Sequence, residues 1–342
     1  MCIFCCYLKN SSLNNNGQFI MSQPHVRLRD CIIERLCCPV CKSKMNQTSY
    51  NFQCMNSLCQ NFFPIVDGVP VLLDESSSVF SKQDFVNHSD TFFRTQNKLV
   101  KLAIKLMPKI GRNIKSRANY LKFSKLLTEE NVNPKVLILG GGIEGQGMEE
   151  IMSLSAIEFI GSDVFFGPNT ALICDAHAIP FDDRTFDGLI VQAVLEHVVD
   201  PYRCVEEIYR VLKDDGLVYA ETPFIQQVHA GRYDFSRFTH LGHRRLFRRF
   251  EELCSGAVCG PGMALAWSYK YFLLSFVKTR LARSCVNAFA SISAFWLKYF
   301  DSYLIDKPGA LDAASGYYFM GRKSKEIISD RELIKLYRGG FG

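Results

Sequence analysis

The chain has 342 residues and a net charge of +6, with 48% hydrophobic and 22% charged residues. These proportions suit one large globular domain plus a small one, and they exclude disorder over most of the length. A charge of +6 at this length does not demand a nucleic-acid partner.

Nine of the fourteen cysteines fall in the first 59 residues. That clustering points to metal ligation in a reducing, cytoplasmic compartment rather than to a disulfide framework. Residues 1–30 open with an apolar stretch too short for a signal peptide and continue Asn-rich, so they read as a disordered leader, with Met21 as an alternative start. Cys2, Cys5 and Cys6 lie there with no partners at ligand spacing.

Residues 31–75 read as a small unit of their own. Cys38-x2-Cys41 and Cys54-x4-Cys59 form two knuckles separated by twelve residues. Each knuckle places two thiolates on a tight turn, and two facing knuckles complete a tetrahedral four-sulfur zinc site. Closed coordination of this kind is structural, and it supplies folding energy that so short a segment lacks. Cys37 stands out of phase and reads as a spare thiol, while "FFPIVDGVPVLL" reads as two strands around an Asp67-Gly68 turn.

Residues 76–130 read as a polar linker, "ESSSVFSKQD", followed by helices with apolar positions at Leu99, Leu102, Leu106 and Ile110. From Thr91 to Lys122 there are nine basic residues and no Asp or Glu. The segment is either a solvated helix face or a surface for phosphates or anionic lipid.

From residue 131 to 325 short apolar runs alternate with helical segments. "KVLILG", "IEFIGSD", "TALICDA", "FDGLIVQAV" and "GLVYAETP" read as five strands. Between the last two, "YRCVEEIYRVLKDDG" reads as an amphipathic helix ending at Gly216. The alternation predicts an α/β fold, a doubly wound, Rossmann-like, mostly parallel sheet. Residues 262–300 form an apolar, aromatic-rich helical insertion that would roof a pocket, pair two subunits or lie on a membrane, and residues 326–342 are a tail. The longest uncharged stretch, Leu253 to Tyr269, falls short of the roughly 20 apolar residues a membrane span needs.

After the first strand of this region stands Gly140-x-Gly142-x-x-Gly145, where the backbone can approach a nucleotide-like cofactor without a Cβ in the way. Asp163, ending the second strand, can accept from ribose hydroxyls. NAD and S-adenosylmethionine both satisfy this much.

The segment "CDAHAIPFDDRTFDGLIVQAVLEHVVDPYRCVEEIYRVLKDDGLVYAETP" resembles the class I S-adenosylmethionine-dependent methyltransferases, specifically the broad type 11 group. The resemblance covers about residues 134–224, and "ASGYYFMGRK" matches the antiparallel last strand of a seven-stranded sheet. It implies that S-adenosylmethionine is held by Gly140, Gly142, Gly145, Asp163, Asp175, Ala176 and Gln192, with Asp175 and Ala176 at the adenine. Phe165 or Phe166 would form the adenine wall. Two departures stand out: Ile138 replaces the family's acidic residue before the glycines, and Glu144 stands where the third glycine belongs. The cysteine unit, over roughly residues 36–75, resembles the zinc-ribbon domain of the small tRNA-methyltransferase-activator proteins.

Such a fold places the acceptor over the carboxyl ends of the fourth and fifth strands. Gln192, Glu196, His197, Glu221 and a following group of His229, Asp234, Arg237, His240 and His243 are the candidates there. His229 is the first choice for acceptor contact or general base, and no sequence pattern suggests a catalytic metal. The reading is methylation of a small-molecule, glycan or lipid-linked acceptor, with peripheral membrane contact and homo-oligomerisation as further expectations. An RNA acceptor, or a non-catalytic scaffold suggested by Ile138 and Glu144, stands as the alternative. NAD oxidoreduction is set aside because nothing reads as a nicotinamide partner site.

Overall fold

The computed structural model describes residues 26–89 and 107–341, together with two short paired strands, β1 (Ser11–Leu13) and β2 (Phe19–Met21). The helical positions Leu99, Leu102 and Leu106, the basic residues from Arg94 to Lys105, and Cys2, Cys5 and Cys6 lie outside the described residues.

The ribbon is a run of antiparallel strands: β3 (Met45–Gln47), β4 (Asn51–Cys54), β5 (Phe62–Val66) and β6 (Val69–Leu72). Asp67 and Gly68, both with left-handed φ (51° and 76°), make the two-residue turn between β5 and β6. This is the turn whose twist matches that of the strands.

The second region supplies β7 (Lys135–Leu139), β8 (Glu158–Asp163), β9 (Leu172–Cys174), β10 (Phe186–Gln192), β11 (Leu212–Pro223), β12 (Phe250–Cys259) and β13 (Gly316–Lys323). All the expected strands form. Strands β9, β8, β7, β10 and β11 run parallel, and β13 lies antiparallel between β11 and β12. The sheet is larger than the expected seven strands. β6 pairs in parallel with β9 through Val71–Ile173 and Leu72–Cys174, so one eleven-stranded sheet runs from β12 to β3. The ribbon thereby covers what would be an open sheet edge.

Successive residues of a strand face opposite sides, and β7 shows the consequence. Val136 and Ile138 pack with Tyr120, Phe123 and Leu127 of the helix Ser116–Glu130. Leu137 and Leu139 pack with Cys204, Val205 and Ile208 of the helix Pro201–Val211 on the other face. That second helix starts well, with Asp200 capping Arg203 N–H and Pro201 in its first turn. It ends at Val211, five residues before the expected Gly216, because Leu212 is drawn into the sheet opposite Phe186.

No α-helix follows β7. The chain instead runs through a glycine loop to a single 3-10 turn, Ile151–Ser153. Gly141, Gly142, Gly145 and Gly147 in succession leave too little helix propensity there. Between β12 and β13 the helices Pro261–Leu274 and Arg280–Ala294 pack on one another, with Ile110 buried against Ala266 and Ala294.

Candidate active site

The carboxyl ends of β7, β8, β10 and β11 open into a two-lobed cleft. A lobe of about 460 Å3 is lined by Gly140, Gly145, Asp163, Gln192, Glu196, Glu221 and His229, with Met263 of the insertion. A smaller lobe of about 120 Å3 is lined by Asp175, Ala176, His177, Val79 and Phe80. Leu139, Gly140, Asp163 and Ala193 border both, so the lobes are two ends of one site. The expected residues Gly140, Gly145, Asp163, Asp175, Ala176, Gln192 and His229 thus meet in one place.

Gly142 stands behind this wall. Its N–H donates to Asp163 Oδ2 at 2.9 Å, and Val164 N–H donates to Oδ1 at 2.7 Å. A Cβ on Gly142 would come within 2.8 Å of that carboxylate and 2.7 Å of Phe165, so only glycine fits without a shift. Gly140 has φ +72°, and a Cβ there would collide with Val194. Burial pushes the Asp163 carboxyl up to about 6 despite its two N–H donors.

Asp175 accepts from Ser78 Oγ at 2.6 Å, from His177 N–H at 3.0 Å and from the His177 ring at 2.5 Å. His177 Nε2 in turn accepts from Asp200 N–H, which fixes the proton on Nδ1. Burial would raise the Asp175 carboxyl, but these donors hold it below its ordinary value. Ser78, Val79 and Phe80 come from the segment read as a polar linker, and they form a wall that sequence reasoning missed. Phe165 lines the larger lobe, whereas Phe166 lies edge-on to Phe85 in a satellite core and is no part of the cleft.

Glu221 lies opposite Gln192 on the neighbouring strand and is 3% exposed. Four neutral donors reach its carboxylate: Ser116 Oγ, Tyr219 Oη, Gln192 Nε2 and Asn113 Nδ2, at 2.6 to 2.9 Å. Burial raises its pKa against them. Beyond β11, His229, Asp234 and Arg237 gather at the cleft mouth, with Arg237 Nη2 on Asp234 at 2.9 Å. His240 and His243, expected in the same group, belong to the core. His243 lies edge-on to Phe247, and its pKa is pushed down to about 3 by burial.

Away from the cleft, Cys38, Cys41, Cys54 and Cys59 place their sulfurs within 4.8 Å of one another. Cys38–Cys59 and Cys41–Cys54 are 3.8 and 3.4 Å apart. Tetrahedral zinc with bonds of about 2.3 Å holds its sulfurs about 3.8 Å apart. The set suits structural zinc, with no open position.

The chain matches a family described as "Methyltransferase domain" across residues 154–220, the stretch that carries Asp163, Asp175, Gln192, Glu196 and His197. At its N-terminus, 46 residues are 37% identical to UPF0434 protein plu1633 of Photorhabdus laumondii, taking in 14% of this chain and 78% of that protein. Among solved structures, the chain is similar to the complex between the Haloferax volcanii Trm112 methyltransferase activator and a candidate methyltransferase. The match is 17% identical, covers 61% of this chain and 92% of that one, and has a TM-score of 0.37. It is also similar to Haemonchus contortus phosphoethanolamine N-methyltransferase 2, at 15% identity over 63% of this chain and 56% of that one, with a TM-score of 0.40. The chain is a class I S-adenosylmethionine-dependent methyltransferase, and its N-terminal ribbon belongs to the UPF0434 family.

Proposed function

We propose that the chain methylates a hydroxyl or amine of a small-molecule, glycan or lipid-linked acceptor that enters the larger lobe. The observation that carries this reading is the charge of the wall. Glu144, Asp163, Glu196 and Glu221 line the lobe, and among the described lining residues there is no Lys or Arg. An acidic pocket suits a donor that carries a sulfonium and an ammonium, and it repels a phosphate backbone.

The residues fit S-adenosylmethionine. Gly140 and Gly142 let the loop pack closely against Val194 and Asp163, Asp163 offers a carboxylate to ribose hydroxyls, and Asp175 with Ala176 borders the adenine side. Gln192 Oε1 is buried with no hydrogen-bond partner among the described residues, and such an acceptor suits the methionine ammonium in place of the acidic residue missing at Ile138. When bound, the donor supplies an electrophilic methyl group whose sulfur leaves as a neutral thioether. The protein's part is to bind, orient and exclude water. His229 acts on the acceptor side: its Nδ1 lies 3.2 Å from Gln227 O, which orients the ring at the cleft mouth.

The insertion supports the lipid-linked arm. Phe272, Leu281, Phe289 and Ile292 are exposed on these two helices and Phe276 on the turn between them, and the second helix also carries Arg280 and Arg283. No helix among the described residues is long and apolar enough to cross a membrane. Full-length protein incubated with labelled donor and separate metabolite, lipid and RNA fractions tests the reading. Label in the metabolite or lipid fraction is expected, and label in RNA alone would overturn it.

A further inference from the structure

The loops after β10 and β11 are fastened together. Glu196 O accepts from Phe235 N–H at 2.8 Å and Ser236 N–H at 3.2 Å, and His197 Nδ1 lies 2.8 Å from Tyr233 O. The fastening brings three chemical groups to one point. Glu196, His197 and His229 each offer a ligand atom, all within 4.8 Å of one another.

The carboxylate is the anomaly. Glu196 is 1% exposed, yet neither of its oxygens has a hydrogen-bond partner among the described residues. Oε1 lies 3.6 Å from His197 Nε2, just outside hydrogen-bond reach. A buried carboxyl oxygen without a donor is costly unless a cation or proton satisfies it. Both histidines are turned as metal ligands are. Each engages a backbone carbonyl through Nδ1, so Nε2 is the ring atom that a metal would meet. Arg237 stands close by, but its charge is met by Asp234.

We propose that Glu196, His197 and His229 form a second metal site, for a first-row divalent cation, at the acceptor end of the cleft. Two imidazoles and one carboxylate suit manganese, iron or zinc rather than magnesium or calcium, which prefer all-oxygen sets. Bonds of about 2.1 Å place ligands about 3.4 Å apart, so the Glu196–His197 separation already has the right span. The contrast with the ribbon is chemical. Four thiolates close one site, whereas three ligands leave this one open toward a lobe that Glu196 and His229 line. An ion there would hold an acceptor oxygen and lower the proton affinity of a hydroxyl. That role rests on the function proposed above, while binding of the ion does not.

The test uses the full-length protein with its ribbon metal in place and Mn2+ as probe, since a hard ion leaves the thiolates to zinc. Loss of the free Mn2+ electron-paramagnetic signal reports binding, and S-adenosylmethionine is titrated calorimetrically into the same samples. One equivalent of Mn2+ is expected. Glu196→Gln and His229→Ala should each weaken it by more than the roughly 10- to 100-fold that loss of a supporting group costs at metal sites. Unchanged Mn2+ affinity in both variants, or no uptake of Mn2+ or Co2+ by the wild type beyond the ribbon's single ion, overturns the proposal. Failure of the donor to bind while Mn2+ still does would count against the methyl-transfer reading alone.

Discussion

The hydroxyl of Ser78 donates to the carboxylate of Asp175 at 2.6 Å across 97 residues of chain. Through this bond the segment just after the ribbon reaches the smaller lobe of the cleft, where Val79 and Phe80 add the wall. Ser78→Ala removes one charge-assisted hydrogen bond, worth about 1.5–3 kcal/mol at most. We expect S-adenosylmethionine to bind several-fold more weakly in calorimetry, and the melting temperature to fall by a few degrees. Unchanged affinity would place Asp175 outside the donor site.

The same continuity links metal to fold. β6 is both the last ribbon strand and a member of the main sheet, and Cys38, Cys54 and Phe52 share one core with Leu172 and Phe181. Removing the ribbon metal with a chelator should therefore lower the melting temperature of the whole chain and weaken donor binding together. Two separate thermal transitions, one of them indifferent to chelation, would show that the ribbon and sheet fold independently.

Much of this architecture is legible in the sequence. The apolar runs of β7, β8 and β10, the glycines after β7 and the cysteine spacing each carry a local signal. The merger of ribbon and sheet has a local signal too. "VPVL" is a continuous apolar run rather than an alternating one, and all four residues are buried, as in a strand covered on both faces. The Glu196–His197–His229 group has none. Its members sit on two loops about thirty residues apart, and only the pairing of β10 with β11 brings those loops together. The missing helix after β7 is a case where the strand–helix alternation expected of the fold gave way to local glycine content.

Gly142→Ala puts a methyl group within 3 Å of Asp163, Phe165 and Thr170. Overpacking of this kind costs roughly 1–3 kcal/mol, and the groups forced to move are those that border the cleft. Donor affinity should fall by about tenfold or more. Gly309→Ala, where nothing lies within 4 Å of the added carbon, should leave affinity unchanged and serves as the control.

Asp163 gives the site a pH dependence. Its carboxyl is pushed up to about 6 by burial, from an ordinary 3.8. An acid whose folded pKa is raised takes up protons on folding. Its favourable contribution to stability is therefore present below the ordinary value and lost as pH rises through about 6. Donor binding runs the other way, because only the ionised carboxylate accepts from two hydroxyls. Affinity measured calorimetrically should fall as pH drops below that point, approaching about tenfold per pH unit, and Asp163→Asn should flatten this dependence. A pH profile in that variant identical to the wild-type one would assign the titration to another group.

The central claim is that the cleft at the ends of β7, β8 and β10 holds the methyl donor, and calorimetric titration of the full-length chain with S-adenosylmethionine tests it most directly. Saturable one-to-one heat, a higher melting temperature in the presence of the donor and marked weakening in Gly142→Ala are the expected results. Absence of both heat and thermal stabilisation in the wild-type chain would contradict the account.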